Sequence, residues 1–560
     1  MNFFRILLNS VAHRPVIIAL IAGAIFPLSL APYNLWPAAL ISVGLLFQLS
    51  KDLPAKQAAW IGYIYGLGFF GTGVSWVYVS IHDFGGANSA LSGFLTLLFT
   101  AGLALFFALQ THFLRIVTGP LEKLSQGPKQ LLLAPVFAAV WVLFEWLRSW
   151  LLSGFPWLYA GYATLENPLA GWAPVVGVYG ASLAIVISAV ALSYLIPEFI
   201  ARGLAEKIPT PDDSESTQQD ASVEPDQDVS DSSAQIPSPS PALKPVWLCI
   251  AILPWLAGYG LQQITWVSPE ADAADIKVAL VQGNIAQQEK WKPRNLPAIM
   301  QLYQQATVEL PPQDIIVWPE SAIPQFLHNL EPFTQKVIQQ LPEKTVLITG
   351  LLEAVATESK DGEQEYKIHN VILTSQQNQP DQIYRKRKLV PFGEYVPLEN
   401  YLRGLIGLFD LPMSKFASGD AQQPLLVAGY LNIMGLVCYE IAYPELARQK
   451  PSDLILTISN DSWFGNSIGP LQHLQMAQFR ALEIGRYLVR GTNNGISAIV
   501  DEKGRILAQT KQFKFQVLTG HVKKMRGETP YFRYGSSPVL FLCLGIVLSV
   551  LVSRFTRSGK

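Results

Sequence analysis

Long apolar runs dominate the first half of the chain and return at its end. A helix needs about 20 apolar residues to cross a bilayer. Runs that approach this length lie at residues 15–32, 35–50, 58–81, 89–117, 131–152, 174–197, 245–266 and 536–553. The pattern therefore predicts a polytopic α-helical membrane bundle of about eight spans. The first two runs are short and joined by APYNLWP, so a re-entrant hairpin is the alternative there.

Lysine and arginine are distributed unevenly among the loops between these runs. They flank the N-terminus, follow runs two and four and end the chain, whereas the loop HDFGGANS after run three has none. Cytoplasmic loops are enriched in both residues, so we expect both termini in the cytoplasm. Arg5 and Arg14 precede the first run as in a signal peptide, but the runs that follow closely favour a retained helix.

A polar segment at residues 208–243 contains no lysine or arginine and is rich in Ser, Pro, Asp and Gln. It cannot bury enough apolar surface to offset its ordering entropy, so we expect a disordered acidic cytoplasmic linker. A functional acidic tail is the alternative. The predicted divisions are membrane helices 1–6 over 1–207, the linker over 208–243, helix 7 over 244–266, an extracytoplasmic domain over 267–535, and helix 8 with a cytoplasmic tail over 536–560.

From about residue 272 the pattern changes to short β-branched runs that alternate with amphipathic stretches. Strands are predicted at 276–285, 314–321, 345–354, 369–375, 433–440, 453–461 and 496–507, and helices at 296–309, 331–341 and 470–490. Alternating strands and helices indicate α/β layers around a well-buried sheet.

Composition and charge narrow the classes of function. Half of the 560 residues are hydrophobic, 15% are charged, and 41 basic residues face 42 acidic ones. This balance argues against a nucleic-acid partner, which requires a basic surplus. Cys249 and Cys543 fall inside apolar runs, which leaves Cys438 as the one thiol outside them. The seven histidines lack metal-ligand spacing, and no cofactor is predicted.

Three predicted strands each bring a different ionisable group to an end. Glu320 follows the strand in VWPES, Cys438 closes the strand in GLVCYE, and the basic run RKRK precedes LVPFGE. The ends of strands are where α/β folds build active sites. A carboxylate base, a thiol nucleophile and an ammonium that stabilises an oxyanion are a complete set for acyl transfer.

Each of these groups also has a structural interpretation. Cys438 fits a core cysteine, Glu320 a helix cap, and the basic run a solvated face. Residue pattern alone does not choose between Lys386 and Lys388, which share one face of a strand. A further pair, Glu145 and Arg148 in FEWLRSW, lies one helical turn apart and is either functional or a structural ion pair at the membrane edge.

At these stretches the chain resembles the nitrilase superfamily of carbon–nitrogen hydrolases. Over nearly its full length it resembles the apolipoprotein N-acyltransferase family of bacterial membranes. The motifs are WPESAIP, YRKRKLVPFGEYVPLE, CYE, QGNIAQQEKW, SNDSWFG and RGTNNGISA, and the linker at 208–243 is the clearest departure. The resemblance implies a membrane bundle of about eight spans joined to an αββα sandwich domain.

The resemblance also implies a set of site residues. The catalytic residues are Glu320, Lys386 and Cys438. The supporting residues are Glu394, Glu440 and Tyr439, and the substrate-binding residue is Trp291. Lys386 is selected over Lys388 because the family's lysine precedes LVPFGE by two intervening residues. Glu394 is expected to hold the lysine, and Tyr439 and Glu440 are expected at the substrate mouth. No metal is implied.

The activity that the resemblance implies is lipoprotein maturation. An acyl chain passes from a phosphatidylethanolamine-like phospholipid, through a cysteine thioester, to the N-terminal α-amino group of diacylglyceryl-cysteine apolipoproteins. We expect a monomeric multi-pass protein of the bacterial inner membrane with a periplasmic catalytic domain. The alternatives are a membrane-anchored nitrilase-type amidase acting on a small amide, and a transporter or binding protein with a degenerate nitrilase domain.

Overall fold

The computed structural model describes residues 14–195, 243–271, 274–358, 364–396 and 416–557. Residues 208–242 of the predicted linker lie outside these ranges. The longer helices are α1 Arg14–Ile25, α2 Pro37–Ser50, α3 Ala55–Gly73, α4 Ser89–Thr118, α5 Gln126–Arg148, α6 Ala173–Ser193, α7 Lys244–Gln262, α8 Leu296–Val308, α9 Leu327–Ile338, α10 Gly469–Ile484 and α11 Ser537–Arg557.

Each predicted apolar run falls on a helix of the described chain. Four helical segments are long and apolar enough to cross a bilayer, namely Ser89–Glu122, Gly127–Arg148, Pro168–Ser193 and Lys244–Gln262. Ala55–Gly73 and Trp76–Phe84 are bent by 56° and form either a broken span or a re-entrant loop. Three further apolar segments are shorter, namely Arg14–Ser29, Pro37–Ser50 and Ser537–Ser553. The described residues thus hold four or five full-length spans, and the count of eight stays a prediction.

Glycines bring the helices of the bundle close together. A Cβ atom added at Gly62 of α3 would lie 2.4 Å from the Phe107 carbonyl oxygen of α4. One added at Gly68 would lie 2.1 Å from the Leu20 carbonyl oxygen of α1. Because apolar lipid offers no hydrophobic drive for helix association, such close van der Waals packing stabilises the bundle.

The rest of the chain forms two six-stranded sheets and a small two-stranded ribbon. The strands are β1 Val267–Pro269, β2 Ile276–Gln282, β3 Ile315–Val317, β4 Val346–Glu358, β5 Gln364–Ser375, β6 Gln382–Arg385, β7 Leu426–Ala428, β8 Leu431–Val437, β9 Leu454–Ser459, β10 Tyr487–Thr492, β11 Ala498–Val500, β12 Ile506–Gln509, β13 Gln516–Val522 and β14 Met525–Gly527. Their spatial orders are β13-β2-β3-β4-β5-β6, β12-β11-β10-β9-β8-β7 and β1-β14.

The two large sheets pack face to face. Leu280 and Ile348 of one sheet share a buried apolar cluster with Ile433 and Leu456 of the other. Helices α8 and α9 cover the outer face of the first sheet, and α10 covers the outer face of the second. The result is the expected αββα sandwich. In its centre the pairs β2–β3, β3–β4, β8–β9 and β9–β10 are parallel.

Two predicted elements differ from the structure. The helix predicted at 470–490 ends at Ile484, because Gly485 adopts a left-handed conformation with φ of 67° and caps it. The residues that follow form the buried strand β10. The strand predicted at 496–507 is two strands, β11 and β12, separated by a turn at Gly504, where φ is 76°.

Helix α10 also joins the sandwich to the membrane helices. Gly177, with φ of 68°, interrupts α6 and frees the N–H of Val178, which donates to Glu483 Oε1 at 2.7 Å. Glu483 is in turn paired with Arg480 at 3.1 Å, and both side chains are fully buried. The hydrogen bond from Val178 to Glu483 ties the sandwich to the membrane helices, and Arg480 supplies the counter-charge that the buried carboxylate needs.

Candidate active site

Glu320 lies in the loop that follows β3, at the carboxyl end of the parallel strands. This loop is pinned to β4 by Gly350, whose N–H donates to the Pro319 carbonyl at 3.2 Å and whose carbonyl accepts from Ala322 N at 3.1 Å. The Glu320 side chain is 7% exposed. Its Oε2 accepts from the backbone N–H of Asn460 at 2.7 Å, so the second sheet orients the carboxylate as well.

Lys386 follows directly on β6 and is 1% exposed. Its Nζ lies 2.8 Å from Glu394 Oε1 and 3.8 Å from Glu320 Oε1. Asn370 Nδ2 donates to the same oxygens, to Glu320 at 2.7 Å and to Glu394 at 3.2 Å. The structure therefore brings the predicted base, the predicted lysine and its predicted partner into one hydrogen-bonded cluster.

Cys438 was predicted to close a strand at 433–440, but β8 ends at Val437, and Cys438 begins the short helical turn that follows, Cys438–Ala442. Its φ is 52°, a left-handed conformation that is unfavourable for a residue with a Cβ atom. A sharp strained turn of this kind lifts a nucleophilic side chain out of the end of a strand. The side chain is partly buried, and it lies close enough to Glu320 and Lys386 to interact electrostatically with both.

Burial and charge govern the protonation states of these groups. Burial, with a contribution from the Glu320 carboxylate, raises the pKa of the Cys438 thiol, and the Lys386 ammonium offsets this only in part. Burial opposes the charge of Lys386, but the carboxylates of Glu394 and Glu320 outweigh it and raise the lysine pKa. At neutral pH the site holds a neutral thiol beside a positively charged lysine.

Glu440 is fully buried rather than exposed at a substrate mouth. Its Oε2 accepts from Val437 N at 2.8 Å, and its Oε1 accepts from the backbone N–H groups of Arg387 and Lys388 at 2.7 and 3.1 Å. The carboxylate thus ties the residue before Cys438 to the two residues after the predicted lysine. Its role in the structure is to hold these two chain segments together.

Trp291, the predicted substrate-binding residue, is 37% exposed. It follows the short helix Gln287–Lys290, whose last residue points inward: Lys290 is 1% exposed and its Nζ donates to the Glu320 carbonyl oxygen at 3.2 Å. Burial lowers the pKa of Lys290 to about 8, although Glu320 opposes the shift. The residue before Trp291 therefore contacts the loop that carries the predicted base.

Sequence reasoning missed three residues that orient the cluster: Asn370, Asn460 and Lys290. Asn370 stands within the apolar strand HNVILTS, where a buried amide needs partners. A polar residue within a buried strand was therefore the one feature of the sequence that could have indicated the role of Asn370. Asn460 donates to Glu320 through its backbone N–H, which no side-chain pattern reports. Lys290 donates through its side chain to a backbone carbonyl 30 residues away, a contact that sequence spacing does not report.

Glu145 and Arg148 are both buried but turn to different partners. Glu145 Oε1 accepts from Trp141 Nε1 at 2.9 Å and from Ala160 N at 2.7 Å. The Arg148 guanidinium lies over the ring of Tyr159, at 5.3 Å. The expected pairing of their side chains is replaced by these contacts within the membrane helices.

The chain is similar to known protein families over most of its length. Residues 22–191 match the apolipoprotein N-acyltransferase N-terminal domain, and residues 277–531 match carbon-nitrogen hydrolase. A protein of Azotobacter vinelandii named apolipoprotein N-acyltransferase is 42% identical over 96% of this chain and 95% of its own length. The chain belongs to the apolipoprotein N-acyltransferase family. A relative of the same name in Pseudomonas aeruginosa (strain UCBPP-PA14) is 42% identical over 97% of this chain and 96% of its own length. Another, in Vibrio cholerae, is 37% identical over 98% of this chain and 100% of its own length.

Membership of the apolipoprotein N-acyltransferase family confirms the resemblance seen in the motifs and makes the protein an acyltransferase. Its apolar helices agree with a protein of the bacterial inner membrane. The two matched regions meet beside the turn at Cys438, where Tyr439 Oη donates to the Gly154 carbonyl at 3.2 Å and Tyr443 Oη donates to the Ser153 carbonyl at 3.3 Å. This contact brings the membrane part of the N-acyltransferase to Cys438.

Proposed function

We propose that the protein transfers an acyl chain from a phospholipid, through a thioester on Cys438, to the N-terminal α-amino group of diacylglyceryl-cysteine apolipoproteins. The observation that carries this proposal is the convergence of Glu320, Lys386 and Cys438 at the place where the sandwich contacts the membrane helices. The donor is a phosphatidylethanolamine-like lipid, and no cofactor takes part.

In the first step the Glu320 carboxylate accepts the thiol proton while the Cys438 sulfur bonds to the ester carbonyl carbon. The carbonyl electron pair moves to oxygen, and the Lys386 ammonium stabilises that oxyanion. The tetrahedral intermediate collapses, the bond to the glycerol oxygen breaks, and the carboxylic acid of Glu320 returns its proton to that oxygen. Lysophospholipid leaves, and the acyl chain stays on sulfur.

In the second step the α-amino group attacks the thioester carbonyl and loses a proton to Glu320. The carbon–sulfur bond breaks, and the thiolate of Cys438 takes that proton back. Water is not a reactant in either step and would hydrolyse the thioester, so the site must exclude water until the amine binds. Buried Lys386 and the covering Tyr439 support that exclusion, since they are 1% and 7% exposed.

The same proposal covers the arrangement in the membrane. We place eight spans in the inner membrane, with both termini in the cytoplasm, the linker at 208–243 on the cytoplasmic side and the domain at 267–535 in the periplasm. The enzyme acts as a monomer. Both substrates are lipids, and a domain tethered at both ends beside the bilayer reaches their scissile groups without extracting them.

Incubation of the full-length protein with phospholipid tests the proposal directly. Intact-mass spectrometry should show an acyl-sized adduct on Cys438, and addition of a diacylglyceryl-cysteine peptide should remove it as an N-acylated product. A Cys438→Ser variant should carry no adduct, because a hydroxyl is far less acidic than a thiol. Turnover of small amides without any phospholipid adduct would instead support the membrane-anchored amidase, which the family membership does not favour.

A further inference from the structure

The left-handed turn at Cys438 is held from two sides. On the amino side, Glu440 accepts the N–H of Val437. On the carboxyl side, His473 Nε2 lies 3.1 Å from the Cys438 carbonyl oxygen. A carbonyl oxygen can only accept, so this contact is a hydrogen bond only when Nε2 carries the proton.

The other ring nitrogen of His473 settles the tautomer. His473 Nδ1 lies 3.0 Å from Arg490 Nη2 and 3.3 Å from Asp461 Oδ1. Arginine has no acceptor atom, so the shorter contact requires an unprotonated Nδ1. Burial and the Arg490 charge also lower the pKa of His473, which favours the neutral ring. The ring is therefore neutral, with its proton on Nε2.

The groups behind the ring are fixed in turn. Arg490 Nη2 donates to Asp461 Oδ2 at 2.7 Å, and Ser459 Oγ donates to Asp461 Oδ1 at 2.7 Å. His473 and Arg490 are fully buried, and Asp461 is 1% exposed. Burial raises the cost of separating these groups, so His473 has little freedom to leave the Cys438 carbonyl.

Aromatic side chains close the remaining faces of the ring. Trp157, from the connection between α5 and α6, lies 5.8 Å from His473 between ring centroids, and Phe464 lies at 5.9 Å. Trp157 is itself held by a 2.7 Å hydrogen bond from its Nε1 to Gln472 Oε1. The imidazole is thus clamped between the membrane part and the sandwich.

We propose that His473 is a positioning residue for Cys438: its Nε2–H holds the carbonyl of the nucleophile, and Asp461 and Arg490 fix the tautomer that makes this possible. The inference rests on the proposed role of Cys438 as the nucleophile. His473 does not exchange a proton with substrate. It keeps the strained turn in the conformation from which the sulfur reaches the acyl carbon.

Three substitutions of His473 separate this role from simple packing. His473→Gln places an amide N–H close to the position of Nε2, whereas His473→Asn retains polarity but ends short of the Cys438 carbonyl. His473→Leu fills the space without a donor, and His521→Leu, at an exposed histidine of β13, is the matched control. The rate of thioester formation from phospholipid is measured in full-length protein, with its dependence on donor concentration and the thermal midpoint.

We expect His473→Leu and His473→Asn to lower the maximal rate of thioester formation about 100-fold, as for a nucleophile misplaced by about 1 Å. The half-saturating donor concentration should not change, and His473→Gln should recover most of the rate. Equal rates for the Gln, Asn and Leu variants, or a change confined to donor saturation, would overturn the inference. If wild-type protein forms no thioester at all, the proposed function fails instead, so the two failures are distinguishable.

Discussion

Gly350 offers a way to move the predicted base without removing any reacting group. It lies on β4 beside the loop that carries Glu320, and both of its backbone polar groups bind that loop. A Cβ atom at this position would lie 2.6 Å from Glu320 Cα and 2.8 Å from the Pro319 carbonyl oxygen. The shorter distance falls 0.8 Å below the 3.4 Å at which ordinary contact begins, and both neighbours are backbone atoms. Gly350→Ala must therefore displace Glu320.

The size of the effect follows from that displacement. A shift approaching 1 Å in a reacting group costs about 100-fold in rate, and overpacking of a core costs about 1–3 kcal/mol in stability. We expect Gly350→Ala to form the Cys438 thioester about 100-fold more slowly, measured by intact mass against time after addition of phospholipid.

Gly435→Ala is the matched control for this prediction. It is also a strand glycine, on β8, but its added Cβ would meet side-chain atoms: the Cδ1 atoms of Ile372 and Leu426 at 2.9 and 3.1 Å, and Tyr384 Cδ1 at 3.7 Å. Flexible ends of side chains can give way, so this variant should lose stability with less loss of rate. A wild-type rate of thioester formation in folded Gly350→Ala would refute the argument that Gly350 sets the position of the base.

Three further substitutions test the electrostatics of the site. Lys386→Met leaves two buried carboxylates without their cation, so we expect it to lose about 3–5 kcal/mol in stability and to form no thioester. Thermal unfolding measures the first effect, and intact-mass spectrometry measures the second. Glu440→Gln removes one acceptor for backbone N–H groups, which costs about 1–3 kcal/mol; thioester formation should slow at least several-fold, and an unchanged rate would contradict this positioning role. Burial lowers the pKa of Lys290 to about 8, whereas a lysine in an unfolded chain has a pKa of about 10.4. Below pH 8 its buried charge therefore destabilises the fold by about 3 kcal/mol. Wild-type stability then rises between pH 8 and 10.4, as Lys290 loses its proton in the folded protein. The thermal midpoint of Lys290→Met should therefore exceed that of wild type at pH 7 and lose that advantage by pH 10. A difference between the two midpoints that does not depend on pH would contradict this prediction.

Most of the architecture could be predicted from the sequence, because hydrophobic periodicity reports local structure. The predicted helix at 296–309 corresponds to Leu296–Val308, and the predicted strand at 453–461 contains Leu454–Ser459. Strand β10 was missed because YLVRGT follows the amphipathic helix α10 with only Gly485 and Arg486 between them. The conformation of one glycine decided that boundary, and periodicity does not report it.

The proposed reacting groups could be located from the sequence, whereas Glu394 was the one group holding them that was predicted. Glu320, Lys386 and Cys438 stand in motifs where chemistry and the ends of strands coincide. The link through Glu440 depends on contacts 53 and 52 residues away along the chain. Such links arise from the packing of two sheets, and sequence spacing carries no trace of them.

A buried thiol with a raised pKa is compatible with nucleophilic attack only if the charge of the site stays constant. Loss of the Cys438 proton to solvent would add a negative charge beside the carboxylates of Glu320 and Glu394, and burial opposes this. Transfer of the same proton to Glu320 adds none, since the carboxylate becomes neutral as the charge moves to sulfur and then to the oxyanion. Lys386, held in its charged form by Glu394, faces one net negative charge at every stage. The geometry therefore suppresses a free thiolate and favours attack coupled to proton transfer, which restricts reaction to an acyl carbon already in the site.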